Sequence, residues 1–164
     1  MPATAIRPAR DAALPVVHGL AGTAAFLTIL TFWTTTVGSE LFADLATVAA
    51  VKQAIAWALL LLVPLLAVTG LSGLRLAGGA TARSTAAPAI RAKQRRMPIV
   101  AANGVLVLVP CAITLAVLSA RGDFGSTFQA VQAVELLAGP VNLALIGLNI
   151  RDGLRLAGRR GAAR

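Results

Sequence analysis

Four stretches of this chain carry almost no charge, and this limits its fold more than any other feature. Ala12–Ser39 runs 28 residues without Asp, Glu, Lys or Arg, Gln53–Leu74 runs 22 and Met97–Ala120 runs 24. Phe124–Ile150 runs 27 and is broken only by Glu135. A helix needs about 20 apolar residues to cross the hydrocarbon core of a bilayer. Backbone N–H and C=O groups find no water there, so each segment must satisfy them internally, as a helix does. The expected fold class is therefore all-α: a polytopic integral membrane four-helix bundle. Composition agrees, with 57% apolar and 13% charged residues in 164, against about 25% charged in a soluble domain.

The pattern divides the chain into a lead at residues 1–13, a four-helix transmembrane domain at 14–158 and a basic tail at 159–164. Spans are expected at about 14–37, 47–74, 97–119 and 127–150, with a loop at 75–96 and short turns at Gly38–Ala46 and Arg121–Ser126. The first run follows basic residues, as in a signal peptide. It is too long for a signal h-region and no clear cleavage site follows, so it reads as an uncleaved span.

Net charge is +9, but its distribution argues against nucleic acid. Arg7 and Arg10 precede the first span. Arg75, Arg83, Arg91, Lys93, Arg95 and Arg96 lie between the second and third, and Arg151, Arg155, Arg159, Arg160 and Arg164 follow the fourth. Clustering of basic residues on alternate loops marks the cytoplasmic side. The expectation is a multi-pass protein of the plasma (inner) membrane, N-in and C-in, whose basic face meets anionic lipids.

An internal repeat is visible. Gly73-Leu74-Arg75-Leu76-Ala77-Gly78 recurs as Gly153-Leu154-Arg155-Leu156-Ala157-Gly158. The same register aligns Ala50-Val51 with Ala130-Val131, and Leu14-Pro15-Val16-Val17 faintly resembles Met97-Pro98-Ile99-Val100. The bundle thus reads as two pseudo-repeated helical hairpins related by an axis along the membrane normal. Arg75 and Arg155 would offset helix C-terminal dipoles, with Gly78 and Gly158 as candidate C-caps.

Polar groups inside a span are functional candidates by default. In the fourth span Gln132, Glu135, Gly139, Asn142, Ile146 and Asn149 follow spacings of three and four, which puts them on one helical face. That stripe should point into the bundle, with Gly139 admitting a close neighbour and Thr28–Thr35 or Thr114 supplying hydrogen-bond partners. Lys52 lies at the depth of Glu135, and an ion pair would reduce the cost of both; the plainer reading is a lysine that snorkels to headgroups. His18, Asn103 and Asn149 would form a polar cluster at the basic end. Pro64, Pro110 and Pro140 should kink or loosen their helices. Cys111 reads as a small packing residue.

Three functions remain open. One is a non-enzymatic subunit, assembly factor or scaffold, with a membrane-protein partner or a second copy of itself. Another is a small transporter or channel lined by the polar stripe. The third is a haem-b electron carrier with His18 as ligand. Such haems usually take two axial histidines and this chain has one, so Met97 or His18 of a second copy would have to complete the set. No phosphate loop, CxxC, HExxH or nucleophile motif occurs. No metal, resident cofactor or enzyme activity is expected.

Overall fold

The computed structural model describes residues 9–78 and 87–161. They form α1 (Ala9–Phe42), α2 (Leu45–Gly78), α3 (Ala87–Asn103), a π-helical turn (Gly104–Leu108), α4 (Val109–Ala120) and α5 (Ser126–Gly161). α3, the π turn and α4 make one span, so four helical rods are each long and apolar enough to cross a membrane. The chain is an integral membrane protein by that measure.

The rods overrun the expected spans at both ends. Only Ala43 and Asp44 separate α1 from α2, where a connection over Gly38–Ala46 was expected. Asp44 explains the brevity: its Oδ1 accepts the Thr47 backbone N–H at 2.8 Å, an N-cap that starts α2 at once. The second turn does lie at Arg121–Gly125, with Gly122 at φ 69°, a left-handed conformation glycine adopts freely. At the basic end, most of the expected loop is helical. Arg75 stays in α2, and Arg91 to Arg96 lie in α3. Lys, Arg and Gln are good helix formers, so charge ends the apolar run without ending the helix. For the same reason α5 runs past Gly158, which is no C-cap.

Sequential rods pack side by side, and α5 closes the ring against α1. α2 and α5 therefore sit diagonally, as do α1 and the third span, the placement a two-fold axis along the bundle requires of repeat-related helices. The repeat register also carries the inward face. Val48, Lys52, Ile55, Leu59, Leu62 and Ser72 are the buried positions of α2. Their counterparts on α5 are Phe128, Gln132, Glu135, Gly139, Asn142 and Asp152, all buried except the partly buried Glu135.

The interior is layered. Val48, Leu115 and Phe128 form one apolar cluster near the two short turns. Ala25, Ile29, Ile55, Leu59, Leu62, Val100, Ala112 and Ile146 form another towards the basic end. Lys52 and Gln132 fall between the two along their helices. The outward faces carry Trp57, Leu60, Leu61, Leu106 and Leu137, all strongly exposed, the pattern of a bundle bathed in lipid.

Candidate functional site

The polar layer centres on Lys52, whose side chain is 1% exposed, and Glu135, 13% exposed. The ammonium lies 2.8 Å from Glu135 Oε2 and also donates to Thr36 Oγ1 at 3.3 Å. α2 and α5 are diagonal, so their backbones do not approach each other. Lysine, with a four-carbon stem and a point charge, is long enough to cross the centre. A charge so placed is costly unless paired, which is why lysine here turns inward rather than snorkelling. Gln132 lies one turn nearer the short turns, and neither of its amide atoms has a protein partner among the described residues.

Thr36 was not among the expected partners. Thr28, Thr31, Thr34 and Thr35 instead bond back to carbonyls of their own helix, at Ala24, Leu27, Leu30 and Thr31, as threonine in a helix can. Thr114 is exposed. Only Thr36, buried beside α2, reaches the layer.

Below this layer α1 and α5 come very close. A Cβ on Gly139 would stand 2.7 Å from Trp33 Cδ1, so the indole occupies the space the glycine leaves. Pro140 has no N–H to offer the Leu136 carbonyl four residues earlier. The Trp33 Nε1–H donates to that carbonyl at 3.3 Å instead. No role for Trp33 is read from the sequence. The freed carbonyl was readable from Pro140, but its donor was not.

The rest of the stripe also faces inward. Asn142 is 1% exposed and Asn149 is buried. Asn149 Nδ2 points to Met97 Sδ at 3.5 Å, and Asn103 Nδ2 donates to the Ala138 carbonyl at 3.0 Å. The Oδ1 atoms of both Asn142 and Asn149 lack a protein partner. Near the basic end Arg96 pairs with Asp152 at 2.7 Å, tying α3 to α5.

His18 joins neither Asn103 nor Asn149. Its partners are on α2 and α3: Nδ1 lies 3.0 Å from both the Thr69 carbonyl and Ser72 Oγ, and Nε2 lies 3.0 Å from Lys93 Nζ. The ring rests on Gly73, where a Cβ would come within 3.0 Å of Cε1. The network assigns the tautomer: an ammonium can only donate, so Nε2 accepts from Lys93 and Nδ1–H points at α2. An axial bond to iron needs a free ring lone pair, and here it faces the Lys93 ammonium. Met97, one of the two second ligands considered, is turned to Asn149, and His18 of a second copy would present the same occupied nitrogen. These residues do not fit a haem.

Among the described residues, no three of His, Cys, Asp and Glu come together as metal ligands. Cys111 is a buried free thiol. The arrangement is thus a ladder of polar cross-links between helices, with orphaned amide atoms at Gln132, Asn142 and Asn149. Compared with protein-family models, curated proteins and solved structures, the chain matches none.

Proposed function

We propose that this protein is a non-enzymatic membrane subunit or scaffold, seated in the inner membrane with both termini and the α2–α3 connection in the cytoplasm. The observation that carries the reading is how the polar groups are used. Lys52, Glu135, Thr36, Trp33, Asn103, Arg96, Asp152 and His18 all bond between helices. Such bonds fix relative helix positions. A rigid bundle with a basic end is suited to hold a membrane-protein partner, or a second copy, against an anionic leaflet.

Photo-crosslinking from lipid-facing positions, with a benzophenone amino acid at Trp57 or Leu137 in native membranes, tests the partner. The expected result is one protein adduct of constant mass from neighbouring sites on a single face. Lipid adducts alone at every site would end the scaffold reading. Maleimide labelling of introduced cysteines tests orientation. Asp44 and Asp123 should label from outside; labelling of Ser84 from outside would invert the topology.

The orphaned amides of Gln132 and Asn142 favour a second reading, a small transporter. It requires flux. Proteoliposomes that dissipate an ion gradient with the native protein, but not with Glu135→Gln, would put transport ahead of scaffolding.

A further inference from the structure

A partly open cavity of about 60 Å³ lies among the four helices, between the polar layer and the apolar cluster of the basic end. Three backbone features open it. Gly104 and Leu108, the ends of the π turn, line it together with Val109 just before Pro110. Gly139 lines it opposite, at the break made by Pro140. A π turn inside a helix widens the local spiral, and such turns recur at functional sites. Apart from Thr36 and the Trp33 indole, the wall is aliphatic or aromatic except at two places two turns apart on α5: Glu135 towards the polar layer and Asn142 towards the basic end.

Asn142 is the anomaly. It is 1% exposed, it lines the cavity, and its Oδ1 has no protein partner. Its amide faces Gly104, where a Cβ would stand at an ordinary contact distance of 3.9 Å from Nδ2. Exchanging the amide's oxygen and nitrogen would still leave one of them short of a partner. The repeat register shows what a packing residue looks like at this position, because α2 has Leu62 there, buried in the apolar cluster. An orphaned buried amide atom is unfavourable unless something small meets it.

We infer that this cavity is an internal hydration site for a few water molecules, anchored by Asn142 and by the Glu135 carboxylate. A cavity needs at least roughly 10–15 Å³ of such space to hold one water, and a buried water needs two to four polar partners. The volume and the two polar ends meet both conditions, and Thr36 of α1 lines the site as well. The water gives the Glu135 carboxylate a second solvating partner beside Lys52, in the middle of the bundle. This holds whether the protein is a scaffold or a transporter.

Water-edited solid-state NMR on the labelled protein in lipid bilayers tests it. Magnetisation from water should reach the Asn142 side-chain amide and the Glu135 carboxyl well before it reaches lipid-facing Leu137. Asn142→Leu should abolish early transfer to the Glu135 carboxyl and make the cavity take up xenon. A native protein that shows no early transfer at either residue, or that binds xenon in this cavity, would overturn the inference, because an apolar gas enters only a dry site. The native measurements require no variant to fold.

Discussion

α2 and α5 present the same buried register to the same bundle, yet their chemistry is nearly opposite. At the three central positions α2 has Ile55, Leu59 and Leu62 where α5 has Glu135, Gly139 and Asn142. One turn further from the basic end the polarity crosses: α2 supplies the cation Lys52 and α5 the neutral Gln132. Facing direction therefore belongs to the repeat, while the ionic character was placed separately on each helix. If that is right, exchanging residues between equivalent positions is a more informative perturbation than truncation to alanine.

The largest effect is expected at the ion pair. Lys52→Gln and Glu135→Ile each install the residue of the other helix, and each leaves one buried charge without its partner. Either alone should cost about 3–5 kcal/mol. The double variant removes both charges and should recover most of the loss. Unfolding in mixed micelles, read as a double-mutant cycle, measures the coupling. Losses that add within about 0.5 kcal/mol would mean the pair does not hold α2 to α5.

Next comes Gly139, whose counterpart Leu59 packs in the apolar cluster. Gly139→Ala drives a methyl against the Trp33 ring, at a cost of about 1–3 kcal/mol. Gly147, two turns on, has only Phe26 at 3.8 Å, and Gly147→Ala should be tolerated. Trp33→Phe loses one interhelical bond, worth about 0.6 kcal/mol on average. In a Trp57→Phe background, Trp33 fluorescence should change with Gly139→Ala and not with Gly147→Ala. Equal effects of the two glycine variants would remove the special contact between α1 and α5.

How much of this was legible from sequence follows from what each signal encodes. Uncharged runs encode spans, and the spacing from Gln132 to Asn149 encodes a face, because both depend on one helix at a time. Lys52 and Glu135 were matched by depth, which the repeat register supplied. Helix ends were misplaced because Arg91–Arg96 are as helical as they are charged. The partners of His18 were missed because depth alone does not say which helix is adjacent. His18 was grouped with Asn103, but it meets the third span at Lys93, nearer the basic end, and its ring rests on Gly73 of α2. Trp33 and Thr36 were passed over because their roles depend on a freed carbonyl and a crossing lysine on other helices.

A smaller effect is expected at Ser72 and Asp152, the buried pair of repeat positions nearest the basic end. Asp152→Ser makes α5 resemble α2 and leaves Arg96 without its carboxylate. Arg96 is about a quarter exposed and can turn to water or headgroups, so the expected loss is only about 1 kcal/mol and should shrink with salt. A loss as large as that at Glu135, unmoved by salt, would show that this end is as dry as the centre.

The smallest effect contrasts how the two helices begin. Asp44 caps α2 through the Thr47 N–H. Asp123 instead bonds Gly125 inside its own turn, before α5 starts. Asp44 is fully exposed, and the Thr47 backbone N–H, followed by the Thr47 hydroxyl, holds its carboxyl below the ordinary value of 3.8. A carboxyl depressed in the folded state stabilises above its unfolded pKa, and that contribution is lost as pH falls through the folded value. Asp44→Ala should therefore lower the melting temperature slightly, by an amount constant above about pH 5 and shrinking below it. Asp44→Asn keeps a capping oxygen without the charge, so its offset from Asp44→Ala should vary less with pH. If the deficit of Asp44→Ala persists undiminished into acid, the ionised cap is not what starts α2, and the two-residue link from α1 must be held by packing at Val48 alone.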